Sequence, residues 1–164
     1  MQPSISTQTR TAAAGEWSSG AKLRGWRFRM EEDPKDLVRR WFEEVWNKQR
    51  TTAIPEMFDA DGEAQGLPEP DSLIRGPEEF KQYHQTLIAT FPDIRLHLED
   101  LIAEGDKVAV RWTATGTHLG DALGYAPTRR KVSLNGSSFL VCRGGKILKA
   151  WNQMDFARLL TQLQ

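Results

Sequence analysis

The sequence predicts an α+β domain: a curved antiparallel sheet wrapped around N-terminal helices, forming a cone-shaped barrel with one internal pocket. Two observations carry this. Apolar residues recur at helical spacing as far as Phe91, and alternate singly with polar residues after Pro92. The alternating segments then follow one another without an intervening helical pattern, as antiparallel strands do.

Each element has its own signal. Asp33-Pro34 is a capping acid followed by proline at the first helical position, and Val38, Trp41, Phe42, Val45 and Trp46 set a helix over about 34–48. A short helix fits 52–58, with Ile54, Met57 and Phe58 inward. Residues 60–66, "ADGEAQG", read as a short irregular strand before a Pro-rich loop, "LPEPDS". Gly76-Pro77 opens a third helix in which Phe80, Tyr83, His84, Leu87, Ile88 and Phe91 form a stripe, and Phe91-Pro92-Asp93 ends it. Ile94, Leu96 and Leu98 face inward on the first alternating strand, and Val108, Val110, Trp112 and Ala114 on the second. Val132, Leu134, Gly136, Ser138, Leu140 and Cys142 define the third. A Gly144-Gly145 turn leads into the last strand, 146–154, and a short terminal helix.

Composition excludes several classes. Lysine plus arginine equals aspartate plus glutamate, 22 each, but residues 1–30 hold five basic residues and one acidic residue. The remainder is mildly acidic, with no basic cluster beyond Arg129-Arg130-Lys131, so nucleic acid is not an expected partner. No apolar run reaches the length of a membrane span. Cys142 is the only cysteine, which rules out a disulfide framework and a cysteine-based metal site and makes a reducing cytoplasm the expected compartment. Residues 1–30 are expected to be a flexible or loosely docked extension. Their composition overlaps with that of organelle transit peptides, without the apolar core of a secretory signal. The domain proper is expected over 31–164.

Alternation on the last strand puts Ala150, Asn152 and Met154 inside, so an uncharged amide sits between apolar neighbours. An amide has no accessible proton equilibrium, but it donates and accepts hydrogen bonds. Asn152 is therefore either an orienting or oxyanion-stabilising group, or an amide satisfied by its surroundings. His84 lies on the apolar stripe of the third helix, where a buried imidazole serves as a base or as a structural hydrogen-bonding group. Trp112 belongs to the core floor or the pocket wall. The loop 119–130, "LGDALGYAPTRR", carries Tyr125 behind two glycines and reads as a rim over the cavity. Cys142 reads as a small core residue. The outer sheet face collects Arg111, Thr113, Asn135, Phe139 and Trp151, a mixture that fits a subunit interface.

Two stretches carry a family likeness. "FPDIRLHLEDLIAEGDKVAVRWTATGTHLGDALGYAPTRRKV" resembles the central block of SnoaL-like polyketide cyclases, of the ester cyclase branch, and "GKILKAWNQMDFARLLTQL" resembles their C-terminal strand and helix. With the first helix the likeness covers about 37–163. It implies the cone-shaped fold shared with nuclear transport factor 2, ketosteroid isomerase and limonene-epoxide hydrolase, and dimerisation through the outer sheet face. It also implies aldol-type ring closure in which an aspartate on the last strand removes a proton, with no metal or cofactor. Asn152 stands in that aspartate's place, Ser138 in place of a cyclase histidine, and Gln65 in place of the isomerase base. Trp46 and Tyr83 match positions that line the site and orient substrate. Glu63 shares a strand face with Gln65 and is a candidate for a displaced acid.

These readings lead to a cofactor-independent enzyme of cyclase or isomerase type acting on a hydrophobic, carbonyl-bearing ligand. Asn152 and Gln65 polarise the ligand, Trp46 and Tyr83 shape it, and His84 or Glu63 serves as base. The alternative is a non-catalytic small-molecule-binding protein of the same fold. A third reading, epoxide hydrolysis, needs an acid pair that the sequence does not show. The deciding question is whether an ionisable group reaches the cavity near Asn152.

Overall fold

Asp33 starts the first helix by accepting a hydrogen bond from the Lys35 backbone N–H at 2.8 Å, with Pro34 in the first turn. The computed structural model describes residues 32–67 and 72–164. The expected extension 1–30, the docking of its Trp17, Trp26 or Phe28, and the Pro-rich residues 68–71 lie outside the described residues. Helix α1 (Pro34–Trp41) runs into a π-helical turn, Phe42–Asn47, and a 3₁₀ turn, Thr51–Ala53, leads to α2 (Ile54–Met57). Strands β1 (Phe58–Gln65) and β2 (Leu73–Arg75) precede α3 (Gly76–Thr90). Strands β3 (Arg95–Glu104), β4 (Lys107–Thr117), β5 (Lys131–Arg143) and β6 (Lys146–Met154) then follow, and α4 (Phe156–Leu163) ends the chain.

The sheet order is β2-β1-β6-β5-β4-β3. It curves without closing, so β2 and β3 are its edges. All neighbours run antiparallel except β1 and β6, which pair in parallel. These two strands come from opposite ends of the chain, so no hairpin dictates their relative direction. Strand β2, only three residues long, falls inside what the sequence reads as a loop boundary.

The change from α to π winding at Phe42 also escapes a reading by apolar spacing. In the π turn the Lys48 N–H bonds the Glu43 carbonyl at 2.8 Å, and the Val45 carbonyl lies 2.8 Å from His84 Nε2 on α3. The Asn47 side chain then pairs with the edge strand: Nδ2 donates to the Leu96 carbonyl at 3.0 Å, and Oδ1 accepts from the Leu96 N–H at 2.8 Å. This amide clamp satisfies an edge residue and fixes the helix end over the sheet. Trp41, Phe58 and Phe80 form the aromatic centre between helices and sheet, with ring centroids 5.0–5.9 Å apart.

Two local features of the sheet place the inner residues. Val141 pairs with Lys149 but Cys142 pairs with Ile147, so Leu148 is an extra residue in β6. This β-bulge shifts the register by one beyond it and sets Asn152 opposite Ser138. Gly136 lies opposite Trp112, and a Cβ there would come within 2.3 Å of the indole ring. Glycine therefore lets the Trp112 ring lie flat across β5 and reach Ser138.

Candidate functional site

The curved sheet and the helices enclose an open-mouthed cavity of about 1040 Å³ of empty space, counting the mouth. Trp41, Phe42 and Trp46 come from the first helical segment, and Phe80, Tyr83 and Leu87 from α3. The sheet supplies Trp112, Leu134, Leu140 and Ala150, while Leu123, Phe156 and Leu159 lie on the side of the 118–130 loop and α4. The lining is overwhelmingly apolar, as suits a hydrophobic ligand. Its side-chain polar groups belong to Trp41, Trp46, Tyr83, Trp112, Thr115, Ser138 and Asn152. Among the described residues, no Asp, Glu, His, Lys, Arg or Cys lines it.

Three of these polar groups are tied into one directed chain. Trp112 Nε1–H donates to Ser138 Oγ at 3.0 Å, and Ser138 Oγ–H donates to Asn152 Oδ1 at 2.6 Å. Asn152 Nδ2 in turn donates to the backbone carbonyl of Gln65 at 2.9 Å. Indole can only donate and a carbonyl can only accept, so the orientation of every group between them is set. The chain crosses β4, β5, β6 and β1 in order. Gly66, at φ +72°, allows the close approach of β1 to this point: a Cβ there would lie 1.8 Å from the Asn152 backbone oxygen.

Of the residues singled out by sequence, Asn152, Trp46, Tyr83, Trp112 and Ser138 line the cavity, and His84, Glu63, Gln65 and Tyr125 do not. Glu63 and Gln65 do share a strand face, but it is the outer one, because Ala64 between them takes the buried side. Glu63 pairs there with Lys149 at 3.4 Å, and Gln65 meets the cavity's polar chain only through its backbone carbonyl. Tyr125 packs, partly buried, against the cluster of Phe91, Ile94, Val132, Leu159 and Leu163. Its loop neighbour Leu123 reaches the cavity in its place. Phe156 and Leu159 line the cavity without having been singled out by spacing. The amphipathic pattern of the last helix was a signal for them, but it could not tell cavity wall from core.

His84 is 1% exposed, and its Nε2 faces the Val45 carbonyl, so that nitrogen carries the proton. Its Nδ1 is buried and unpartnered, and the Trp46 ring packs against the imidazole with ring centroids 5.0 Å apart. Burial holds the imidazole pKa below its ordinary value, and the hydrogen bond to Val45 opposes this only in part. His84 is thus a neutral structural link between the π turn and α3. Cys142 is also buried, and desolvation pushes its thiol up to about 12, which leaves it unreactive.

The family model described as SnoaL-like polyketide cyclase matches residues 36–163. Compared with curated proteins, the sequence finds no match. Among solved structures, a candidate SnoaL-like polyketide cyclase from Jannaschia sp. CCS1 is similar with a TM-score of 0.74. The two chains are 22% identical over 84% of this chain and 95% of that one, a level that speaks for the fold alone. IdmH from Streptomyces antibioticus, a candidate polyketide cyclase, has a TM-score of 0.70 and 26% identity over 80% of this chain and 99% of its own. AclR from Streptomyces galilaeus, a candidate hydroxylase, has 0.69 and 26% over 79% and 83%.

The state of His84 has a pH consequence. Its folded-state pKa is depressed, so the unfolded chain binds the proton first as pH falls. Stability contributed by neutral His84 is present above the unfolded value of about 6.5 and is lost as pH falls below it, with a slope of up to about 1.4 kcal/mol per pH unit. Urea unfolding of the native protein and His84→Phe at pH 7.5 and 5.0 checks this. The expected result is a larger loss for the native protein, and equal losses would remove the assignment.

Proposed function

The chain belongs to the SnoaL-like polyketide cyclase family, and from that premise we propose that its cavity receives a hydrophobic, carbonyl-bearing small molecule and promotes a ring-closing or isomerising change in it. The observation that carries this reading is the lining itself: an apolar hollow with a single hydrogen-bonded amide in its wall. The second proton of Asn152 Nδ2 is left over from the chain and suits a ligand carbonyl or the negative charge of an enolate. Trp46 and Tyr83 offer ring faces that hold the ligand in a reactive shape, so rate acceleration comes from confinement and polarisation. No cofactor enters this proposal.

The same lining favours a second reading, a carrier that binds the ligand without changing it. Among the described residues no carboxylate or imidazole lines the cavity, so a proton leaving carbon would have to pass within the ligand or to solvent. Epoxide hydrolysis, which needs a water-activating acid, has no residue to carry it here.

For assembly we propose a homodimer through the outer sheet face. Ile102, Ala109, Phe139 and Trp151 pair across β3, β4, β5 and β6 as one apolar row. Ile102, Phe139 and Trp151 are 68%, 62% and 42% exposed. Ion pairs flank the row, Arg111 with Asp100 at 2.7 Å on one side and Lys149 with Glu63 on the other. A row of this kind matches a second copy of itself about a two-fold axis.

Both proposals are testable. Native protein and Asn152→Leu are titrated with hydrophobic β-keto esters by calorimetry and then assayed for ring-closed product. The native protein should bind and turn over at least one ester, and the leucine variant should bind it about tenfold more weakly, the worth of one hydrogen bond. Binding without product selects the carrier, and no binding to any ester removes both readings. Sedimentation should show a dimer that Phe139→Lys dissociates. A native monomer at tens of micromolar would defeat the interface.

A further inference from the structure

The chain that fixes Asn152 has a consequence for which ligands the cavity accepts. Its first member, Trp112 Nε1–H, can only donate, and its last, the Gln65 carbonyl, can only accept. Ser138 therefore receives from Trp112 and must give its own proton to Asn152 Oδ1, at 2.6 Å. Rotating the carboxamide by half a turn would set Oδ1 against the Gln65 carbonyl oxygen, two acceptors face to face. It would also aim the Nδ2 protons at a serine that already takes the indole proton. The amide is held in one orientation from both ends.

We infer that Ser138 is a specificity-determining positioning residue: by taking one lone pair of Asn152 Oδ1 and fixing the carboxamide, it leaves the Nδ2 proton as the stronger free group, and so favours ligands headed by an acceptor over ligands headed by a donor. The inference rests on the proposal that the cavity takes a carbonyl-bearing ligand, and it names the residue responsible. Ser138 is 4% exposed and already engaged on both sides, so it need not touch the ligand to act. It acts through Asn152. A donor-headed ligand would find at Oδ1 only the lone pair that Ser138 does not use, and a buried donor left poorly paired is costly.

Three bicyclic probes of nearly equal shape separate the cases: 1-indanone has only an acceptor, indole only a donor, and indene neither. Calorimetric titration of the native protein should rank 1-indanone tightest, about tenfold ahead of indole. In Ser138→Ala, Oδ1 loses its serine partner and becomes an open acceptor, so the indanone-to-indole ratio should fall toward one. Ser138→Thr keeps the hydroxyl and should keep the ratio. Ser138→Cys, a weak donor of similar shape, should shift it in the alanine direction, so the test does not depend on one variant folding. A merely structural serine would weaken all three probes alike and leave the ratio unchanged, which would overturn the inference. Native protein that binds indene as tightly as 1-indanone, or binds no probe, would instead overturn the carbonyl reading and this inference with it.

Discussion

The polar part of this cavity's wall depends on one constraint, that polar groups facing an apolar hollow must be paired with one another. Unpaired, a buried member such as the Trp112 N–H or the Ser138 hydroxyl would cost about 1–3 kcal/mol. The chain from Trp112 through Ser138 and Asn152 to the Gln65 carbonyl meets the constraint with three hydrogen bonds across four strands. It also bridges the single parallel contact of the sheet, β1 with β6, where the backbone ladder is irregular. Gly136 lets the indole lie where it must, and Gly66 lets β1 close on Asn152. Both glycines serve the same four-residue chain.

That arrangement reshapes the chemistry available to the family's cavity. A carboxylate in such a place gains its usefulness from a pKa lifted toward neutrality by apolar walls. An amide gives up that equilibrium and keeps polarity and position. The remaining ionisable groups that the sequence brought forward are all turned away: His84 to the Val45 carbonyl, Glu63 to Lys149 on the outer face. What is left is a shaped, apolar enclosure with one oriented amide in its wall. Such an enclosure can fold a flexible ligand and bias the charge on its carbonyl, and the reaction it favours is one whose proton changes the ligand manages itself.

The sequence announced much of this and concealed the rest for identifiable reasons. Asp33-Pro34, Gly76-Pro77 and the change of period after Pro92 located the helices and the sheet, because caps and alternation are local properties. Alternation also put Trp112, Ser138 and Asn152 on one inner face. It could not show that they touch, since that requires the bulge at Leu148, and without it Ser138 would face Trp151. Alternation gives Glu63 and Gln65 a common face, as the strand has it. Which face it was depended on the parallel pairing with β6, a contact between chain ends invisible to any window of residues. His84 was correctly read as buried, but a helical stripe tells that a side chain is covered, not by what. Its partner, the Val45 carbonyl, sits in a π turn whose winding leaves no mark in apolar spacing.

The most direct test of the account is the ionisation of a carboxyl group placed at the centre of the chain. In Asn152→Asp, one carboxyl oxygen would still accept from Ser138, while the other would face the Gln65 carbonyl and stay neutral only by keeping its proton. Carbon-13 NMR of the labelled side chain across pH should show a carboxyl that titrates well above the ordinary aspartate value of about 3.9. Stability should fall as pH rises from the unfolded value toward the folded one, since the folded state then holds the extra proton. A carboxyl that titrates near the ordinary value, with no such fall, would mean that the Gln65 carbonyl is not fixed opposite position 152. The oriented amide would then be an incidental feature of the cavity.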